Sequence, residues 1–244
     1  MNKLMLTIVV IIGLCIAIWG INPFSDYRET SGLFNAKYNN LETGVSTQSN
    51  GVMVVKALTR MPNVKAKMVH WWFADYLQTT THYKMWHPTA HVWMDWENKR
   101  DGEIVGASHL VHEYIGEDLQ KLRIQFVDPT EFFPDYTPSN NETLLCAKAG
   151  QLEGNLNLST MCHYIRDTQF GAEMRSIFWM GHVAKRDGNN EVFSIEGVFG
   201  NTALVRYLLL DHGMANDLMT HAIEEMGTLA DFLPQLYEEN VPTT

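Results

Sequence analysis

The residues most constrained to do chemistry are an imidazole and a carboxylate four apart near the C-terminus. In residues 212–240, HGMANDLMTHAIEEMGTLADFLPQLYEEN, Leu218, His221, Ala222, Glu225, Leu229, Phe232 and Leu236 recur at the spacing of one helix face. At about 100° per residue, Glu225 falls near the middle of that stripe and His221 on its flank. Glu224, Asp231 and Glu238 point elsewhere, as solvated residues should. A buried His and Glu are costly unless something binds them. A divalent metal would hold both, because i and i+4 side chains project together. Two residues are also consistent with simple mutual pairing, so a metal reading needs further ligands.

Several residues are available. In HLVHEYIG, alternation puts His109, Val111 and Glu113 on one face of a strand and Leu110, His112 and Tyr114 on the other. Because Glu113 adjoins His112, one of that pair must look inward. In TMCHYIR, Met161, His163 and Ile165 share an apolar face, which places His163 inside. His82 stands among Thr and aromatic residues at a helix end, where a ligand could be presented. His70, His87, His91 and His182 remain alternatives that spacing does not exclude.

The elements that position these residues read as a sheet followed by a helix. Residues 51–58 (GVMVVKAL) form a strand candidate, and Pro62-Asn63 opens a helix over VKAKMVHWWFADYL with Asn63 as N-cap. Residues 70–96 hold four histidines and five tryptophans, interrupted by Pro88. That density of aromatic rings fills a core or lines a pocket for a flat ligand. From Glu103 onward, EIVGASHLVHEYIG, LQKLRIQFVD, LSTMCHYIRD, GAEMRSIFWMGHVAK and EVFSIEGVF read as strands between turns, with a hairpin signal at residues 185–189. Successive strands and a long last helix predict an α+β domain, an antiparallel sheet covered by helices.

A chain of 244 residues with 45% hydrophobic and 19% charged content folds as one sizeable domain. A net charge of −10 without a Lys/Arg cluster disfavours nucleic acid as a partner. Residues 4–21 form an uncharged apolar run behind Lys3, long enough to span a bilayer. The expectation is a membrane-anchored chain with its domain outside the cytoplasm, or a secreted one if the run is a cleaved signal. Residues 1–21 are then anchor or signal, 22–50 a polar tether, and 51–244 the domain. Cys146 and Cys162 lack a CxxC neighbour, which disfavours cysteine-ligated zinc. An exported domain would allow them to pair, and sequence leaves that open.

Over residues 68–237 the chain resembles the 2,4-diacetylphloroglucinol hydrolase family, zinc enzymes that cleave the bond between an acyl group and a phenolic ring. WWFADYLQTTTHYKMWHP, HLVHEYIG with LQKLRIQF, and the HAIEE of the last helix carry the resemblance. That family binds metal with two His and two Glu: a His 31 residues before a Glu, then His-x-x-x-Glu on the last helix. Here 113 − 82 = 31, so the resemblance implies His82, Glu113, His221 and Glu225 as the zinc ligands. It further implies a helix-grip fold, like plant pathogenesis-related and lipid-transfer domains (Bet v 1/START-like), and His163 as general acid. The family's phenol-binding positions fall near Ala74, Met85 and Phe178, none able to hold a hydroxyl, with Tyr76 and Tyr83 nearby. The expected partner is a small aromatic or polyketide-like substrate, with a homodimer left open. Competing expectations are a membrane-tethered binder of a hydrophobic ligand and a zinc hydrolase of an ester or lactone.

Overall fold

The computed structural model describes residues 32–242. Two strands open it, β1 (Gly44–Thr47) and β2 (Met53–Pro62). Helix α1 (Ala66–Trp71) follows and runs into a π turn (Trp72–Tyr76), and α2 (Thr80–Trp86) comes next. A meander of long strands then forms: β3 (His91–Glu97), β4 (Ser108–Ile115), β5 (Asp118–Val127), β6 (Glu142–Gln151), β7 (Leu156–Asp167) and β8 (Gly171–Asp187). Short β9 (Asn190–Val192), α3 (Ile195–Gly200) and α4 (Ala203–Leu209) lead to α5 (His212–Asn240). Every pairing is antiparallel, in the order β1-β2-β8-β7-β6-β5-β4-β3, with β9 on β8. This is the curved antiparallel sheet with a long C-terminal helix that defines a helix grip.

Alternation along the strands sorts side chains onto two faces. One face meets α5 and the first helices: Val111, Phe126, Leu145 and Ile165 pack with Trp72, Trp86, Met226, Leu229 and Leu233. The other face holds Val54, Cys146, Cys162 and Trp179, covered by Leu33, Phe132, Phe133 and Tyr136. Burying both faces explains why the first 12 residues of β8 are buried without alternating in exposure.

Some expectations change in detail. The helix after β2 starts at Ala66, not at Asn63, whose φ of 63° is a left-handed turn conformation that Asn tolerates. The Ala66 N–H donates to Asp167 instead of to a local cap, at 2.8 Å. EVFSIEGVF is a strand only at its start. Ser194 Oγ accepts from the Gly197 N–H at 3.0 Å and begins α3. The hairpin signal at 185–189 corresponds to the β8–β9 turn, with Asp187 facing Asn190. The stretch read as tether supplies β1, which pairs with β2, and the buried Leu33. Cys146 and Cys162, opposite each other on β6 and β7, form a disulfide.

The membrane-anchored localisation is also corrected. Among the described residues no helix is long and apolar enough to cross a bilayer, and the apolar run at 4–21 lies outside those residues.

Candidate metal centre

Helix α2 is capped by Thr79, whose Oγ1 accepts from the His82 N–H at 3.3 Å. That register turns Tyr83 and Trp86 inward and His82 to the side. The His82 ring stacks on Tyr76, with Nδ1 2.8 Å from the Tyr76 carbonyl, and takes no part in the cluster described below. After α2 the chain turns through His87 and Pro88, and β3 starts at His91. The register sets His91 opposite Glu113 on β4. From above, α5 lowers His221 and Glu225 onto the same spot.

Ligating atoms of His91, Glu113 and His221 all lie within 4.8 Å of one another, and all three residues are buried. Glu225 completes the group. His91 Nε2 is 3.9 Å from Glu113 Oε2 and 3.6 Å from Glu225 Oε2. His221 Nε2 is 4.0 Å from Glu113 Oε2 and 3.8 Å from Glu225 Oε2. Four tetrahedral donors each about 2.0–2.2 Å from a zinc ion would sit about 3.3–3.6 Å apart. The four His–Glu separations, 3.6–4.0 Å, approach that spacing.

Three further observations fit a cation. The Tyr83 carbonyl, 2.8 Å from His91 Nδ1, can only accept a hydrogen bond. His91 therefore carries its proton on Nδ1 and leaves the Nε2 lone pair free, the tautomer a metal requires. That Nε2 is buried and has no hydrogen-bond partner among the described residues. Burial, with the Glu113 carboxylate nearby, pushes Glu225 up to about 8 against the pull of His221. A positive ion between the two carboxylates would remove that conflict.

The supporting shell is aromatic. The Tyr83 hydroxyl donates to Glu113 Oε2, and its ring stacks face-on against His91 with centroids 3.7 Å apart. Burial first, then the charge of Glu113, raises the Tyr83 pKa, so it remains a donor. Trp86 Nε1 donates to the Glu225 carbonyl at 2.9 Å, tying α2 to α5. His87 stacks 5.2 Å from His221, with its Nε2 3.4 Å from the exposed Glu224. Burial lowers the His87 pKa.

The structure thus brings together Glu113, His221 and Glu225 of the expected ligands, and adds His91 where His82 was expected. His163 is buried on β7 with Nδ1 2.7 Å from Ser176 Oγ and its ring edge-on to Phe178. Burial lowers its pKa to about 4. Ala74 is buried, and its carbonyl accepts from Lys99 Nζ. Met85 packs against the larger core. Phe178 lies in an apolar cluster with Ala215 and Ala222 of α5. HPTAHVWMDW holds a helix stop and then a strand, but nothing local in it names β4 as the partner that brings His91 to Glu113.

Comparison with known proteins finds relatives that are named as hydrolases. A 2,4-diacetylphloroglucinol hydrolase of Pseudomonas protegens is 25% identical over 218 residues, covering 81% of this chain and 68% of the relative. Phloretin hydrolase of Eubacterium ramulus is 26% identical over 234 residues, covering 91% of this chain and 80% of the relative. Among solved structures, Ara h 8.0201 superposes at TM-score 0.45 with 9% identity, over 75% of this chain and 99% of that one. The family model for the DAPG hydrolase PhiG domain matches residues 24–238, nearly the whole length including both halves of the His/Glu cluster, and the chain belongs to that family.

Proposed function

We propose that this protein is a metal-dependent hydrolase that cleaves the carbon–carbon bond between an acyl group and a phenolic ring. The observation that carries the reading is the convergence of His91, Glu113, His221 and Glu225 in a chain whose relatives are named as hydrolases of acylated phenols. The mixed imidazole and carboxylate set suits zinc, which when bound would polarise a carbonyl and lower the pKa of water. Overall, water adds its oxygen to the acyl carbon and a proton to the ring carbon. The electron pair of the broken bond goes to the ring, and a carboxylic acid departs.

The chain's own residues set the conditions for this. Tyr83 fixes Glu113 by its hydroxyl and His91 by its carbonyl, so one residue orients two donors. Trp72, Trp86, Phe126 and Leu229 keep the surroundings dry, which strengthens every charge interaction at the reacting carbonyl. His163 is the proposed proton donor to the ring carbon. With a pKa near 4 it is neutral in the free protein, so an incoming phenolate must raise that pKa for it to act as an acid.

The domain organisation we propose keeps residues from 32 onward in one catalytic domain. Four protein donors fill a tetrahedron, as in structural zinc sites, so a non-catalytic helix-grip binder is the second reading. Metal analysis of the full chain with turnover assays on 2,4-diacetylphloroglucinol, phloretin and a phenyl ester tests both. We expect about one zinc per chain and release of a carboxylic acid from a ketone. Zinc retention with no ketone cleavage would overturn the proposal, and ester cleavage alone would reassign the bond.

A further inference from the structure

Helix α4 is built inside out. Between Phe193 and Leu210 the charged side chains are Glu196 and Arg206. Arg206 is buried and faces inward. Its Nε donates to the Gly181 carbonyl at 2.7 Å, Nη1 to the Asn50 carbonyl at 3.1 Å and Nη2 to Asn201 Oδ1 at 2.9 Å. The leucines face the other way. Leu204, Leu208 and Leu209 are 69–73% exposed, and Tyr207 among them is more than half exposed. Phe193 and Ile195, flanking the Ser194 cap of α3, are 89% and 68% exposed. A surface helix normally shows the reverse, with charge outside and leucine inside.

The chain holds α4 in this orientation. Gly51, at a φ of 80°, lets the helix approach the β1–β2 turn closely. A Cβ there would lie 2.9 Å from Arg206 Cβ and 3.1 Å from the Ala203 carbonyl. Asn201 braces the α3–α4 junction, accepting from the Val183 N–H at 3.0 Å and donating to the Val183 carbonyl at 2.6 Å. Rolling the leucines inward would part the Arg206 guanidinium from its acceptors, so the apolar face stays outside in a single chain.

Apolar side chains scattered singly over a surface are ordinary, but patches above a few hundred Å² mark interaction sites. These six side chains expose on the order of 900 Å², and a standard interface takes about 800 Å² from each partner. Charge decides between occupants. Helices that lie on a lipid surface carry Lys and Arg on their polar face. Here the one cation, Arg206, faces inward, and Glu196 is the exposed charge. A chain of net charge −10 meets its own copy most easily across a surface without charge, and homodimer interfaces are the more apolar class. We propose that the exposed face of α3 and α4 docks against the same face of a second copy of this chain about a two-fold axis. Helix α4 ends at Leu209 and α5 opens at His212. The partner therefore braces the chain where it enters the helix that carries His221 and Glu225.

Sedimentation velocity over a dilution series tests this on the full chain and on its Leu208→Glu and Phe193→Glu variants. Both positions are exposed, and circular dichroism checks that the variants fold; should one fail, the other still reads the interface. We expect wild type to sediment as two chains at micromolar concentration, and each variant to weaken association by about tenfold or more. Amide exchange over residues 193–210 should slow with rising concentration in wild type and not in Leu208→Glu. That local readout separates this face from association through the apolar run at 4–21, which every variant retains. Wild type that sediments as one chain overturns the proposal. So does association unchanged in both variants, or exchange over 193–210 that ignores concentration. A single-chain wild type that floats with phosphatidylcholine vesicles, and a Leu208→Glu variant that does not, would overturn it and assign the face to a lipid surface.

Discussion

His91 and His82 differ by nine positions and by everything that matters to a cation. His91 offers a buried, unpaired Nε2 with its tautomer fixed by the Tyr83 carbonyl. His82 spends its Nδ1 on the Tyr76 carbonyl at the side of α2. Replacing His91 or His221 with Ala should therefore empty the site, whereas His82→Ala should keep zinc near one per chain by mass spectrometry. Retained zinc in His91→Ala would mean that the cluster is not the binding site. Tyr83→Phe removes the hydroxyl from Glu113 but keeps the ring, and should weaken metal affinity or activity roughly 10–100-fold. His163→Ala should slow turnover roughly 10²–10⁴-fold with zinc in place. Full activity in that variant would remove His163 from the reaction. Of these residues, His221 and Glu225 were readable from sequence because i, i+4 spacing marks one helix face, while alternation left Glu113 open against His112 and only the family resemblance chose it. His91 was not readable, because its partner is a neighbour across strands and no local period encodes which strands pair.

Secondary elements explain the rest of that legibility. Strands with clear runs of β-branched and aromatic residues, such as β4, β5, β7 and β8, could be read directly. β3 was hidden in an aromatic-rich stretch, and β6 (ETLLCAKAGQ) has too many small residues to announce itself. Phe193, Ile195 and Phe199 suggested a strand although they are exposed side chains around α3, where the Ser194 cap decides the local structure. The β6–β7 pairing carries a covalent tie whose half-cystines are 16 residues apart. Replacing both cysteines with Ala should cost about 2–4 kcal/mol in denaturant unfolding. Since the disulfide lies on the sheet face away from the His/Glu cluster, zinc content should not change. Loss of zinc together with the disulfide would show that the two faces are coupled.

At the scale of the whole molecule, buried titratable groups set the pH range of stability. Burial holds His163 down at about 4, and burial with the charge of His91 holds His109 down at about 3. Below pH 6.5 the unfolded chain takes up protons that the folded chain refuses. Stability thus falls as pH drops from 6.5 toward 4, by on the order of 3 kcal/mol for His163. Glu225, raised to about 8, acts with the opposite sign. Without a cation, the folded chain keeps a proton that the unfolded chain has already lost. The stability this contributes is present below about pH 4.5 and is lost as pH rises to 8. Thermal melts of the chelated protein should therefore peak near pH 6.5. Adding zinc, which requires the ionised carboxylate, should abolish the decline above that pH. A chelated protein whose melting temperature still rises from pH 6.5 to 8 would contradict the assignment.

The four proposed donors come from both ends of the domain: His91 and Glu113 on the first strands of the meander, His221 and Glu225 on the last helix. During translation the first pair leaves the ribosome long before the second has been synthesised. Until α5 has been made, the chain can offer an ion only half of the proposed coordination, so loading waits for α5 to close over the sheet. Any truncation that removes the final helix leaves a sheet with two stranded ligands and nothing to complete them.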